Sequence, residues 1–341
     1  MIFTIRTKNL LLRHFRTFLF VIFRILPLWL KTGRKPVILS KFSGIGDIIC
    51  TFPAALKLKE KHLGAPLIYH CHGSFSCLPR LGGITSNTTD YPDIGQVAFW
   101  YGFLLEGFYE FASEDDFPGT ISTHLYINDF AKRFGFEVSG DHPALKVSPV
   151  HVHAIRQAVS AELGNVGPLI IFHPGPSWPV REWPLDRWQT LAQRFQDDSP
   201  VRIIQIGSSA TLTQGAEPPK FIPGTHSFLD RLTLEETAAL LSIADLLVGI
   251  DSGMLHLAAC FNTPSVGIWG PTSPRFRFSP ERARYFVVSD VSCQGCHHRT
   301  PRLHWITSCP NQIDCMQAIG VAPVYQSCKA ALASKSLPSG N

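Results

Sequence analysis

From Leu169 onward one unit recurs: a short apolar run, a loop of glycine, proline, serine or aspartate, then a helix-forming stretch. Leu169 to His173, Val201 to Gly207, Leu246 to Ile250 and Ser265 to Trp269 read as strands, and Pro184 to Phe195, Thr233 to Ala244 and Ser252 to Phe261 as the helices among them. Pro184 suits a first helical turn, where a missing N–H costs nothing, and Thr233 with Glu236 spells a capping box. The first half carries the same unit: strand Pro36 to Phe42, a glycine turn from Ser43 to Asp47, helix Ile48 to His62 and strand Pro66 to Cys71. Strands alternating with helices at this spacing build parallel sheets covered on both faces, so the fold class is α/β. Two such sheets facing each other leave a cleft, and open parallel sheets bind ligands at the carboxyl ends of their strands.

A length of 341 residues exceeds one ordinary hydrophobic core and implies two domains. The stretch from Ser139 to Pro168, broken by Pro and Gly, divides them into an N-terminal domain over 35–155 and a C-terminal domain over 156–330, with a tail over 331–341. Between residues 95 and 135 lie two helix candidates rich in aromatics, Phe99, Trp100, Phe103, Phe108 and Phe111, then Tyr126, Phe130 and Phe134, and rings at helical spacing read as core. With 45% hydrophobic and 17% charged residues the chain should fold nearly throughout. A net charge of +5 without a long Lys/Arg block points away from nucleic acid and toward a phosphate-bearing or anionic-surface partner.

Residues 1–34 form a basic, apolar segment of their own. Arg13, Arg16 and Arg24 interrupt the apolar stretch from 10 to 30. A central Arg costs about 2.5–3.5 kcal/mol on membrane insertion, which disfavours a span. These three and Lys31 fall near one side of a helix, with Leu12, Phe15, Leu19, Ile22, Phe23 and Leu26 over the rest. That pattern predicts an amphipathic helix lying in a lipid interface, the alternative being a helix docked on the protein's own N-terminal domain. No signal-peptide cleavage pattern follows it, and nine scattered cysteines suit a reducing compartment better than a disulfide scaffold. The expectation is a cytoplasmic protein, peripheral on the inner face of the cytoplasmic membrane.

Three strand-end loops carry candidate chemistry. In the first, Gly44 and Gly46 let the backbone turn tightly toward a ligand, and Asp47 can take a proton from a hydroxyl nucleophile or cap the helix that follows. The loop lacks the spacing of a dinucleotide fingerprint and the Lys-Ser/Thr ending of a Walker loop. The second runs from His173 through Gly175 and Ser177 to Arg181, Trp183 and Pro184, where helix-start N–H groups and an Arg fork suit a diphosphate; Trp183 and Trp188 read as packing. In the third, Asp251 ends a strand and Ser252 and Gly253 open a helix, with His256 one turn on.

In this order the three loops resemble glycosyltransferase family 9, the heptosyltransferases that use ADP-heptose to build the inner core of lipopolysaccharide. The likeness spans roughly 36–330 and rests on Gly44-Ile45-Gly46-Asp47 with Thr51 to Ala54, on the His-Pro-Gly loop with Arg181, Trp183 and Pro184, and on Asp251 to Ala259 leading to Gly270, Pro271 and Thr272. The resemblance implies a GT-B fold of two facing Rossmann-like domains and an inverting, metal-independent transfer that requires no cofactor beyond the nucleotide-sugar donor. It makes Asp47 the catalytic base, sets Arg181 where the family often has a Lys on the donor diphosphate, and makes Asp251, Ser252, Gly253 and His256 donor contacts. The partners it implies are ADP-heptose and a lipid-linked glycan acceptor at an anionic membrane surface. Rival readings are a protein O-heptosyltransferase, a nucleotide-sugar epimerase and a non-catalytic glycan-assembly factor.

Cys293 and Cys296 form a C-x-x-C pair, followed by Cys309 and Cys315, a spacing loosely like a structural zinc or iron site. Cys328 is an alternative to Cys315, and His297, His298 and His304 are spare ligands. Packed free thiols are the favoured expectation over a bound metal.

Overall fold

The computed structural model describes residues 2–111, 125–176, 178–210, 217–298, 309 and 311–336. Two parallel sheets form. In the first, β1 (Val37–Ser40), β2 (Leu67–His70), β3 (Thr88–Thr89) and β4 (Gly107–Glu110) lie in the order β3-β2-β1-β4. In the second, β5 (Leu169–His173), β6 (Arg202–Gln205), β7 (His226–Ser227), β8 (Leu246–Ile250), β9 (Ser265–Trp269) and β10 (Val287–Val288) lie in the order β10-β9-β8-β5-β6-β7. Each sheet therefore starts at an inner strand, grows to one side and then crosses to the other. Order reverses between β1 and β4 and between β5 and β8, the positions where such sheets open a ligand crevice.

The first sheet is covered on both faces because its strands are apolar throughout. Val37, Leu39, Leu67 and Tyr69 pack toward α3 (Ile45–Lys61) and α6 (Tyr126–Arg133). Ile38 and Ile68 pack the other way, against Val21 and Ile25 of the N-terminal helical run and Ile94 and Val97 of α5 (Ile94–Tyr101). That run comprises α1 (Ile2–Phe20), a wider π-type turn (Val21–Ile25) and α2 (Leu26–Thr32), closed by Gly33 in the left-handed conformation. The segment thus docks on its own domain through one stripe. Burial of Val21 and Ile25 is worth about 1.5–3 kcal/mol each. Arg13 pairs with Asp93 and Arg24 donates to the carbonyl of Thr88, so two of its basic groups turn to the protein.

Two sequence expectations change. The helix after β1 starts at Ile45, which puts Gly46 and Asp47 inside its first turn instead of in the loop. The first aromatic helix candidate ends at Tyr101, with Phe108 on strand β4 and Phe111 just after it; Phe111, Tyr126 and Phe130 are buried, but Phe99, Trp100 and Phe103 stand 77%, 51% and 68% exposed. The division at 155/156 falls within α7 (Pro149–Leu163), which is capped by Ser148 and packs on α9 (Leu234–Ile243) of the second domain. α9 carries the full capping box of Thr233 and Glu236.

The far face of the second sheet, through Ile170, Phe172, Val248 and Val266, is closed by α8 (Leu185–Asp198) and α12 (Val321–Ser336). Trp183 and Trp188 lie in that core, and the Trp183 indole N–H donates to the Ile319 carbonyl at 2.8 Å. The near face shares one continuous apolar cluster with the first domain, joining Ile171 and Leu247 to Ile48 and Phe52.

Candidate active site

α10 (Gly253–Ala259) leaves β8, and its first turn packs on the first turn of α3. The approach is close enough to require glycine twice. A Cβ on Gly253 would lie 2.7 Å from Ile45 Cβ and 3.0 Å from the Gly46 nitrogen, and one on Gly46 would lie 2.7 Å from His256 Cδ2. Contacts under about 3 Å are not tolerated in a packed interior. Asp47, half-buried, therefore stands across the same seam from Asp251 and Ser252.

On the second domain three strand ends converge. Arg181 lies in a short 3₁₀ turn (Pro179–Arg181). It sets Nη1 3.2 Å from Asp251 Oδ2, and its guanidinium stacks 3.9 Å above the Trp178 ring. Thr272, fully buried in the loop after β9, donates to the same Asp251 oxygen, Oδ2, at 2.5 Å. Ser252 caps α10 by accepting from the Met254 N–H at 3.3 Å and lies 3.2 Å from His173 Nδ1. Burial pushes His173 down to about 4, so it is neutral at physiological pH and tied to the Ser252 hydroxyl. Glu182, beside Arg181, is pushed up to about 7 by burial and then by Glu217. Gly44, Gly46, Gly175, Arg181, Asp251, Ser252 and Gly253 all lie in these strand-end segments, while Ser177 falls outside the described residues.

His256 does something else. It is buried, its Nδ1 lies 2.7 Å from His142 Nε2 and 3.6 Å from Cys50 Sγ, and Phe278 stacks on both rings. Three ligand-type atoms from α3, the interdomain segment and α10 thus meet within 4.8 Å. Burial and the neighbouring His256 push His142 well below its ordinary value. His256 thus joins the first domain and the interdomain segment to α10.

Sequence reasoning gave no role to Thr272, His142, Lys41 or Arg277. Lys41, buried at the end of β1, lies over the Phe130 ring at 4.9 Å, and Arg277, also buried, reaches from the second domain over Tyr126 at 4.6 Å. A charged residue closing an apolar strand was the available signal for Lys41; nothing in the spacing marks His142.

The cysteines are linked to this site. Gly295 N–H donates to the Gly270 carbonyl, His297 N–H to that of Pro271, and the Ser273 N–H to His298 Nε2, all at 2.9–3.0 Å. The segment Cys293 to His298 therefore braces the loop that carries Thr272. Cys315 is pushed up to about 12 by burial and then by the thiols of Cys293, Cys296 and Cys309, so the four share one neighbourhood. No disulfide occurs among the described residues.

Two facing Rossmann-like domains, with the strand-end loops of both meeting along one seam, define the GT-B class. The model of glycosyltransferase family 9 (heptosyltransferase) matches residues 108–306, more than half of the chain, and the chain belongs to that family. Lipopolysaccharide heptosyltransferase 1 of Pseudomonas aeruginosa is 30% identical over 180 residues, covering 47% of this chain and 49% of that protein. Lipopolysaccharide heptosyltransferase 2 of Escherichia coli K12 is 28% identical over 120 residues, 33% of this chain and 34% of that one. The chain thus spans half or less of the length of the curated relatives it matches. Among solved structures, the iron-containing dodecameric glycosyltransferase TibC of enterotoxigenic E. coli superposes with a TM-score of 0.67 at 18% identity, covering 89% of this chain and 77% of that one. E. coli ADP-heptose lipopolysaccharide heptosyltransferase II gives 0.64 at 15% identity over 89% and 100%.

Proposed function

We propose that the protein is a glycosyltransferase that moves a heptose from ADP-heptose to a hydroxyl of a lipopolysaccharide core or related envelope glycan. The observation that carries this reading is the seam itself, with Asp47 on one switch point and Arg181, Asp251 and Ser252 on the other. Family membership and the names of the curated relatives support it, as does the crystal structure of TibC in complex with ADP-D-β-D-heptose.

Asp47 takes the proton of the acceptor hydroxyl, whose oxygen attacks the anomeric carbon on the face away from the diphosphate. The bond from that carbon to the phosphate oxygen breaks, the electron pair leaves with ADP, and the configuration inverts. α10 has only seven residues, so its N–H groups need a fixed cation beside them, and Arg181, held by Asp251, is that cation. The charge on the leaving diphosphate is thus met by a side chain, without a divalent ion. The same reading sets the protein on the inner face of the cytoplasmic membrane, with the N-terminal helix on anionic lipid.

The cysteine cluster carries a second reading. Cys315 with Cys293, Cys296 and Cys309 makes the soft, four-sulfur donor set that suits a structural zinc or iron ion, which would stiffen the brace on the Thr272 loop and stand apart from the bond changes. Elemental analysis of the purified protein tests it: one zinc or iron per chain, lost with Cys293→Ser/Cys296→Ser, supports the site, and metal-free active protein removes it.

ADP release from ADP-heptose, followed with and without a heptose-deficient core acceptor, tests the transfer. Acceptor-dependent release supports it. Sugar epimerisation without acceptor would favour an epimerase, modification of a polypeptide the protein O-heptosyltransferase, and donor binding without turnover an assembly factor.

A further inference from the structure

The N-terminal helices and α5 form one exposed face. Leu11, Phe15 and Phe23 on the helical run, and Phe99, Trp100 and Phe103 on α5 and the turn after it, are each at least half exposed. The two elements touch, since His14 and Trp100 meet edge to face at 5.0 Å and Arg13 pairs with Asp93 at the start of α5. A soluble monomer rarely leaves so many large apolar groups together in water. The direction of the face follows from three contacts in sequence order: Arg24 to Thr88, Thr17 to Tyr91 and Arg13 to Asp93. α1 therefore runs antiparallel to β3 and reaches past its carboxyl end, the end of the sheet at which the Asp47 turn stands.

We infer that α5 and its following turn are the second half of a two-element lipid-binding platform, with Phe99, Trp100 and Phe103 entering the bilayer interface beside the apolar side of α1. The occupant is an anionic membrane surface. Charge argues for lipid over a second copy of the chain: residues 10–35 hold no Asp or Glu, and Arg16, Arg24, Lys31, Arg34 and Lys35 are exposed beside the Arg13–Asp93 pair, so two such faces would repel, whereas an anionic leaflet gains from each basic group near it. Composition argues the same way, because Trp and Phe beside Arg and Lys are the residues that settle at the boundary of headgroup and acyl chain. This rests on the reading that the N-terminal helix contacts lipid, and it adds that the helix does not act alone. The consequence is orientation. Two elements at one end of the sheet fix the protein's tilt, so the Asp47 side of the cleft faces the surface where a lipid-linked acceptor lies.

The experiment is flotation of the full-length protein with vesicles of phosphatidylcholine containing phosphatidylglycerol, alongside quenching of Trp fluorescence by lipids brominated on the acyl chain. Wild type should float. Phe99→Ser/Phe103→Ser should bind on the order of tenfold more weakly, since each ring withdrawn from the interface removes a large apolar area. Part of the wild-type quenching should vanish in Trp100→Phe. Both sites are exposed, so ADP binding should remain and report an intact fold. If the double variant floats like wild type and Trp100→Phe quenches unchanged, while Leu11→Ser/Phe15→Ser stays at the bottom, the helix reading survives and the α5 platform is overturned. If wild type itself does not float, both fall. If wild type stays unbound and is oligomeric by light scattering while the Phe99→Ser/Phe103→Ser variant is monomeric, the face belongs to a second copy and the proposal is wrong.

Discussion

Arg181 crosses from the loop after β5 to the end of β8, where its Nη1 lies 3.2 Å from Asp251 Oδ2 and ties together the two strand ends between which the sheet order reverses. The pair is largely buried, and Thr272 and Trp178 hold it from either side. The guanidinium is thereby fixed in place, and on the proposed reading this meets the condition for stabilising a leaving diphosphate without reorganisation.

Arg181→Ala should lower transfer by on the order of 100-fold or more. Arg181→Lys should recover only part of this, because an ammonium keeps the charge but loses the fork that spans Asp251 and a diphosphate. Steady-state rates of the two variants, with ADP affinity measured beside them, decide it; equal rates for Lys and wild type would mean that geometry at Arg181 is irrelevant.

Thr272→Val keeps the shape and removes one donor at Asp251 Oδ2, leaving Arg181 Nη1 beside it. A hydrogen bond to a charged group is worth about 1.5–3 kcal/mol, and its loss loosens the Asp251–Arg181 pair, so ADP should bind at least several-fold more weakly. Unchanged affinity would show that the loop after β9 is not part of the donor site.

Gly253→Ala forces a methyl into the seam with Ile45 and Gly46. The domains must part slightly, and turnover should fall at least tenfold while ADP affinity changes little, since the donor contacts of the second domain are intact. Full activity in this variant would contradict the closed seam as the reacting geometry.

Stability should depend on pH with two opposing signs. His70 and His173 are both pushed down from 6.5 to about 4 by burial. Folded, they bind fewer protons than unfolded between those values, so their contribution is full above about 6.5 and is lost as the pH falls toward 4. Glu182, pushed up from 4.5 to about 7, contributes below about 4.5 and loses that contribution as the pH rises to 7. Melting temperatures from pH 4 to 8 should show His173→Gln flattening the acid limb and Glu182→Gln raising Tm at pH 8 more than at pH 4.5. A Glu182→Gln effect of equal size at both ends would contradict the burial of that carboxyl.

Most of the frame was legible because the strands are apolar runs closed by turn residues, and the loops with chemistry follow them directly. The chain from Leu169 to Trp269 reads as it folds except for the two-residue edge strand β7, too short to show a pattern. What escaped depends on contacts far apart in sequence. His256 on its own helix gives no sign of the contacts it makes to His142 and Cys50, which come from far apart in the sequence. Thr272 is ordinary until Asp251 lies beside it. Phe99, Trp100 and Phe103 have the spacing of core residues, and no local pattern tells a face turned to the sheet from one turned outward. The N-terminal segment posed a choice between docking and lipid, and its packed stripe at Val21 and Ile25 leaves Leu11, Phe15 and Phe23 exposed.

The most direct measurement is calorimetric titration of ADP-heptose into wild type, Arg181→Ala and Asp47→Ala, with transfer followed in the same preparations. A donor site on one domain and a base on the other predicts that Arg181→Ala binds ADP-heptose at least tenfold more weakly, while Asp47→Ala binds it as wild type does and transfers nothing. Failure of wild type to bind ADP-heptose, or transfer by Asp47→Ala at the wild-type rate, would contradict it.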